Sequence, residues 1–237
     1  MTAPRALLVC GTDTGVGKTE VGRALLALWA ALGPEPRALK LLETGCAPDT
    51  PEDALALRAA CGPPHDSLPL DQVCPQRFLL PAAPLVAAEA EGREVDLHAL
   101  LALVAQAQTA KTLLIETAGG LLVPLMRKHG GLVTNLDLAA RLRLPVLLVG
   151  RAGLGTINHC ALSAAALRER GVEVVAIVLN RTQVADDPAL ATNARVIAEL
   201  TGVQVIGPTP FESDAALRPA ALASTLAPLL HTQAALR

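Results

Sequence analysis

The sequence predicts a doubly wound α/β fold: one mostly parallel sheet, helices on both faces, a single domain over residues 1–237. Three observations predict it. Short β-type runs alternate with longer Ala/Leu-rich segments of helical character, the order expected of strands joined by helical crossovers. Several of those runs are almost wholly apolar instead of alternating, as happens when both faces of a sheet are covered. The first run also ends in a glycine-rich loop that leads directly into a helix.

Taken in order, Ala6–Cys10 is a wholly apolar first strand, and Gly17–Leu32 is the helix that follows its loop. Ala38–Leu42 reads as the second strand, and Asp53–Ala60 as a helix with an acid at its head. Cys61–Pro84 is irregular and proline-rich, containing Cys61-Gly62-Pro63-Pro64 and Pro81-Ala82-Ala83-Pro84. It either covers one edge of the domain or walls a substrate pocket. Helix Leu97–Ala107, strand Thr112–Glu116 and helix Asn135–Leu142 come next. Strand Pro145–Val149 then leads to helix Thr156–Arg170, and strand Val174–Leu179 to helix Pro188–Leu200. Strand Val203–Ile206 and helix Asp214–Leu229 complete the series. No internal repeat and no polar linker divides the chain.

Composition narrows the function. Hydrophobic residues make up 51% of the chain and charged residues 18%, enough apolar material for a sizeable core and too much for disorder. With 20 Lys+Arg against 22 Asp+Glu, no single-sign field exists to hold a nucleic acid backbone. Aromatics are limited to Trp29, Phe78 and Phe211, too few for a base-stacking platform. The five cysteines are odd in number and never closely paired, against both a disulfide framework and a cysteine-rich zinc site. The start, Met1-Thr2-Ala3-Pro4-Arg5, shows no secretory cleavage pattern. The charge-free stretch Pro219–Leu236 is too polar for a membrane span. These readings predict a cytoplasmic protein with no nucleic acid and no membrane partner.

The chemistry is expected in the loops beyond the carboxyl ends of the strands. The first, Gly11-Thr12-Asp13-Thr14-Gly15-Val16-Gly17-Lys18-Thr19, approaches the phosphate-loop pattern G-x-x-x-x-G-K-[ST] but is one residue longer between its outer glycines. Gly15 and Gly17 let backbone N–H groups close around phosphate oxygens, and the helix start adds its dipole. Lys18 can bridge β- and γ-phosphates, and the Thr19 hydroxyl can ligate Mg²⁺. Glu116 ends an apolar strand and is placed to hold the metal. Gly119 and Gly120 allow a ligand to approach the backbone closely. Lys40 either neutralises charge during phosphoryl transfer or is an ordinary surface lysine. Asp53, read alone, is a helix N-cap before it is a metal ligand. Gly150–His159 is either a second anion site at a helix start or a plain βα turn capped by Thr156. Asn180 carries the donor and acceptor that a base edge needs. Spacing assigns no role to Glu43 or His159.

Together these loops resemble the dethiobiotin synthetases. The family's G-T-D-T-x-V-G-K-T is present as Gly11–Thr19, so the longer loop is a family trait. Its K-P-V-x-[ST]-G is similar to Lys40–Gly45, with the proline lost; its D-A-L matches Asp53-Ala54-Leu55. Its E-G-A-G-G resembles Glu116–Gly120 with Thr117 replacing a glycine, and its G-x-I-N-H matches Gly155–His159. The resemblance runs from about Ala6 to about Pro210. It implies an ATP- and Mg²⁺-dependent ligase that carboxylates 7,8-diaminononanoate with CO₂ and closes the ureido ring through a carbamic–phosphoric anhydride. Lys18, Lys40 and Thr14 would be catalytic. Asp13, Thr14, Gly15, Val16, Gly17, Lys18 and Thr19 would hold ATP, with Asn180, Pro208, Thr209 and Pro210 completing the nucleotide site. Thr19, Asp53 and Glu116 would hold Mg²⁺. Thr44, Gly119 and Gly120 would meet the substrate. A homodimer is implied, with the substrate carboxylate at a helix start of the partner subunit, matching Gly155, Thr156, Ile157 and Asn158.

A partition-type ATPase switch is the alternative on the same broad fold, but Asp13 stands where its signature lysine belongs. A cobyrinate-type amidotransferase would need a glutaminase domain, for which too little chain follows Asn180. A purely regulatory nucleotide-binding module does not need Lys40, Asp53 and Glu116 together.

Overall fold

The computed structural model describes residues 5–33, 35–184 and 187–231. Met1–Pro4 and the last part of the charge-free stretch ending at Leu236 lie outside them. The six predicted strands build one sheet of six parallel strands: β1 (Arg5–Gly11), β2 (Pro36–Lys40), β5 (Thr112–Gly120), β8 (Val146–Arg151), β9 (Val174–Asn180) and β10 (Val205–Ile206). Their order is β10-β9-β8-β1-β5-β2. From β1 the chain crosses to edge strand β2 and returns to β5 between them, then passes to the other side of β1 and runs outward through β8, β9 and β10. The switch point falls at β1, where a ligand cleft is expected.

Alternation along each strand explains the two covered faces. Leu8 and Cys10 of β1, Leu113 and Ile115 of β5, and Val146 and Leu148 of β8 point to one core. Leu7, Val9, Leu114, Leu147 and Val149 point to the other. Onto the first face pack α4 (Leu97–Ala107), α5 (Asn135–Leu142), α6 (Thr156–Glu169) and α7 (Asn193–Thr201), through side chains such as Leu100, Leu138, Leu167 and Ile197. Onto the second pack α1 (Lys18–Ala31), α2 (Glu52–Cys61) and α8 (Arg218–Leu226), through Leu25, Leu57 and Leu222. A buried leucine is worth about 1.5–3 kcal/mol over an exposed one, so the doubled core is the main stabilising term.

The differences from the sequence reading have local causes. The expected strand Ala38–Leu42 is split. Residues up to Lys40 stay in the main sheet, while β3 (Leu42–Thr44) leaves it to pair in parallel with β4 (Gln76–Phe78). The helix expected over Pro188–Leu200 is a 3₁₀ turn, Pro188–Ala191, followed by α7. Asp187 caps the turn at Ala189, and the Asn193 side chain turns inward to donate to the Gly153 carbonyl. Helix α8 starts four residues later than expected, because Asp214 first organises a turn with the N–H groups of Ala216, Leu217 and Arg218. Four elements were not predicted: β4 within the irregular segment, α3 (Pro84–Ala90), and the antiparallel hairpin β6 (Pro124–Lys128) and β7 (Gly131–Thr134).

Candidate active site

Beyond β1 the chain folds back on itself. The Asp13 carboxylate accepts the Thr14 N–H at 2.7 Å, and Gly15 and Gly17 take φ of 70° and 87°, values that favour glycine. Val16 buries its side chain in the core, so only its backbone faces the loop. The Asn180 amide donates to the Val16 carbonyl at 3.0 Å and accepts from the Thr209 hydroxyl at 2.8 Å. That hydroxyl in turn accepts the Arg181 N–H at 3.0 Å. The phosphate loop is thereby clamped from the end of β9, and a Cβ on Gly17 would run into the Asn180 amide. Helix α1 then opens on Gly17 with no side-chain cap, leaving its first N–H groups for an acceptor from outside the helix.

The floor of the site is ionic. Lys40 and Glu116 are register partners on β2 and β5, which sets their side chains side by side. Lys40 Nζ lies 2.5 Å from Glu116 Oε1 and 2.6 Å from Asp53 Oδ2, and Thr19 Oγ1 donates to Glu116 Oε1 at 2.9 Å. Glu116 is fully buried, and its Oε2 has no hydrogen-bond partner. Burial works against the Lys40 ammonium, but Glu116 and Asp53 outweigh it and hold its pKa above the ordinary lysine value. For Asp53, burial is likewise outweighed, by Lys40 and a bond from Thr19, and its carboxyl sits below the usual range. Lys18 is different: burial lowers its pKa, with Glu116 only partly opposing, and its Nζ donates to the Asp13 carbonyl at 3.2 Å.

Two alternatives left open by spacing are settled here. Lys40 is not a surface lysine; it is 3% exposed. Asp53 is not the N-cap of α2. Pro51 occupies that position without a side-chain cap, and Asp53 lies inside the first turn. The cap comes from Glu43 on β3, whose carboxylate accepts the N–H groups of Asp53 at 3.1 Å and Ala54 at 2.9 Å.

Above this floor opens a cleft of about 640 Å³, lined by Thr14, Gly15, Lys18, Thr19, Lys40, Thr44, Asp53, Glu116 and Gly119. Pro81, Ala82, Ala83 and Pro84 form its opposite wall. The irregular segment thus does both things expected of it. His65 meets the Pro36 carbonyl of edge strand β2 at 2.9 Å, and the segment's last residues wall the pocket. Gly120 packs tightly on the phosphate-loop backbone, since a Cβ there would approach the Thr12 carbonyl oxygen to 3.1 Å. Behind the loop a smaller pocket of about 230 Å³ is lined by Gly15, Gly17, Asn180, Arg181, Pro210, Phe211 and Arg218.

A family model described as an AAA domain matches residues 5–216. The ATP-dependent dethiobiotin synthetase BioD of Anaeromyxobacter dehalogenans (strain 2CP-C) is 48% identical over 224 residues, covering 94% of this chain and 97% of that protein. The synthetase of the same name from Aquifex aeolicus (strain VF5) is 38% identical, covering 84% of this chain and 86% of the relative. This chain belongs to the dethiobiotin synthetase family. Chloroplast FtsY from Physcomitrella patens is a more distant likeness. Its structure superposes with a TM-score of 0.51 at 19% identity over 94% of this chain and 66% of that one, a shared fold and no more.

Within this dethiobiotin synthetase scaffold most of the predicted residues converge, but Gly120, Pro208 and the fully buried Thr209 line neither pocket, and one whole group stands apart. Lys18, Thr19, Lys40, Thr44, Asp53, Glu116 and Gly119 meet at one cleft, and Asn180 and Pro210 meet at the pocket behind it. Gly155, Thr156, Ile157 and Asn158 stand apart at the start of α6 and line neither. Thr156 is not a cap there: Gly155 is the N-cap, and the Thr156 hydroxyl is buried 3.5 Å from Cys160 Sγ. Asn158 and His159 are exposed. All five cysteines are free and buried, and burial pushes the Cys10 and Cys61 thiols up to about 12, so none is a ready nucleophile. Sequence reasoning passed over the capping role of Glu43 and the contribution of Val123 to the cleft. Glu43 had one available signal: helix α2 opens on a proline that cannot cap it.

Proposed function

We propose that this chain acts as a single catalytic domain that carboxylates 7,8-diaminononanoate with CO₂ and closes the ureido ring of dethiobiotin at the expense of ATP. The observation that carries the reading is the pair of buried lysines, Lys18 and Lys40, facing one cleft beside an uncapped helix start, in a chain of this family. The chemistry asks for little else. One amine of the substrate and CO₂ form a carbamate, whose oxygen attacks the γ-phosphate of ATP. The second amine then attacks the carbonyl carbon of the mixed anhydride and expels phosphate. Lys18 and the first N–H groups of α1 receive the phosphoryl charge, and Lys40 receives charge between phosphate and carbamate. Thr14 and Thr44 offer hydroxyls to the carbamate. Gly119 keeps that part of the wall open. Asp13 and the backbone of Gly15, Val16 and Gly17 shape the phosphate cradle. Asn180 and Pro210 line the pocket that would take the base, and Thr209, buried behind Asn180, holds that side chain in place.

Thr19, Asp53 and Glu116 would hold Mg²⁺, which supplies Lewis-acid stabilisation of the phosphates. The orphaned, buried Oε2 of Glu116 and the Thr19 hydroxyl beside it fit that group. No cluster of three or more metal-binding His, Cys, Asp or Glu occurs among the described residues. That suits a hard cation that would take one or two carboxylates, its other ligands coming from substrate phosphates and water.

In this reading the substrate's own carboxylate binds Gly155, Thr156, Ile157 and Asn158 of a second subunit; that these residues lie outside their own chain's cleft supports it. The functional unit is then a homodimer. No helix among the described residues is long and apolar enough to cross a membrane. The unpaired cysteines suit a reducing compartment, and the enzyme is assigned to the cytoplasm.

The test is ADP release from purified protein with Mg·ATP and labelled bicarbonate, with and without 7,8-diaminononanoate. Diamine-dependent release with label retained in an acid-stable product is the expected result. Release indifferent to the diamine would leave a nucleotide hydrolase on this fold and remove the substrate half of the reading.

A further inference from the structure

Glu43 is a buried carboxylate on the wall of the catalytic cleft, 6% exposed, to which the mechanism above gives no task. It lies on β3, three residues beyond Lys40 and next to Thr44, yet both its oxygens are spent on another element. Oε1 accepts the N–H of Asp53 and Oε2 that of Ala54, the second and third residues of α2. Those are the orphan donors that a helix normally satisfies with its own N-cap side chain. Helix α2 cannot, because Pro51 holds the cap position. Two hydrogen bonds reaching across from β3 therefore fix where α2 begins. The first-turn residue so fixed is Asp53, whose Oδ2 must reach Lys40 Nζ at 2.6 Å.

We propose that Glu43 is a positioning residue of the magnesium site. By tethering the first turn of α2 to β3, it sets the distance between Asp53 and the Lys40–Glu116 pair. The inference rests on the proposed metal role of Asp53 and deepens it. A carboxylate suits this work better than a hydroxyl, since it can accept from two N–H groups at once and its charge complements the positive end of the helix.

The experiment titrates magnesium against binding of a non-hydrolysable ATP analogue, followed by calorimetry, so that it does not depend on the diamine or on turnover. Glu43→Gln keeps the shape of the side chain and one of its two acceptors, and Glu43→Ala removes both. The expected result is a rise of about 10- to 100-fold in the magnesium concentration for half-maximal binding, the usual effect of losing a residue that orients a metal ligand. Affinity for the analogue without magnesium should stay at the wild-type value. Should Glu43→Ala fail to fold, Glu43→Gln carries the test. Magnesium titrations that superpose on wild type, or an equal loss of affinity with and without the metal, would overturn the positioning role. Asp53→Asn separates the two layers of the argument. If it also leaves the magnesium dependence unchanged, the metal reading fails and the role of Glu43 with it. If Asp53→Asn responds and Glu43→Gln does not, only the present inference falls.

Discussion

Two glycine loops lie side by side at the carboxyl ends of neighbouring strands, and they use the same backbone device. Gly11–Thr19 follows β1 and Gly150–Asn158 follows β8. Each ends on a glycine in the left-handed region, Gly17 at φ 87° and Gly155 at φ 89°, and each opens a helix that has no side-chain cap. Their surroundings differ completely. Around the first stand Lys18, Lys40, Glu116 and Asp53 within a walled cleft. Around the second, Leu154, Asn158 and His159 are exposed, Leu154 at 85%, while Thr156 is buried against Cys160. It is held instead from behind, by Asp187 accepting the Leu154 N–H at 2.7 Å and by Asn193 donating to the Gly153 carbonyl. A helix start thus provides only an anion-binding geometry. Neighbouring charge decides whether chemistry can follow; at the second loop, the proposed dimer would supply it from the partner's surface.

Breaking the first loop should have the largest effect, and the two lysines should break it differently. Lys18→Met and Lys40→Met should each lower turnover by about 10²–10³-fold, the usual weight of a charge-stabilising group. Their stabilities should diverge. Removing Lys40 leaves Glu116 buried without its partner, a loss of about 3–5 kcal/mol for a pair of this kind. Lys18 pays for burial with a lowered pKa, which means its ammonium costs folding energy at neutral pH. Lys18→Met should therefore melt no lower than wild type. Thermal melts beside turnover at pH 7 check both, and unimpaired turnover in Lys40→Met would remove Lys40 from the chemistry.

The second loop gives a smaller effect with a different signature. Asn158→Asp puts a carboxylate where the substrate's carboxylate is proposed to sit. It should raise the KM for the diamine several-fold and leave the KM for ATP alone. Mixing this variant with Lys18→Met makes the comparison sharper. If sites are shared between subunits, mixed dimers hold one intact site, and activity at low diamine concentration returns on mixing. No recovery, or a fully active monomer in sedimentation, would confine each site to one chain.

How much of this was legible in the sequence follows from the range of the interactions involved. The phosphate loop was, because Gly15, Gly17, Lys18 and Thr19 act through local backbone geometry. The sheet was too, because apolar strands such as β1 declare two covered faces on their own. Strand β2 was misjudged at its end, since nothing local says that Leu42 will leave one sheet for a partner over thirty residues away. Helix α3 and the β6–β7 hairpin were missed in the same way. The capping of α2 by Glu43 and the clamp from Asn180 to Val16 are contacts between distant segments, and no periodicity encodes them.

That clamp supplies the next prediction. Asn180 was read as a partner for a base edge, and it does line the rear pocket, but two of its hydrogen-bonding positions are already engaged within the protein. Asn180→Ala would leave the Val16 carbonyl and the Thr209 hydroxyl short of a partner, at about 1–3 kcal/mol. The phosphate loop should loosen, so affinity should fall for ATP and GTP alike. A loss confined to ATP would assign Asn180 to base recognition instead.

The smallest effect is expected where a helix does cap itself. Thr134 and Asp137 form a reciprocal capping box at the start of α5, Thr134 accepting from the Asp137 N–H while the Asp137 carboxylate accepts from the Thr134 N–H. Such a start has no donors left over for a ligand, which sets it apart from both glycine loops. Thr134→Ala should cost about 1 kcal/mol of stability and nothing in turnover. Denaturant titration and steady-state rates on one preparation check this. A fall in turnover without a fall in stability would mean that α5 reaches the cleft by a route its capping does not reveal, and self-capping would no longer separate structural helix starts from functional ones.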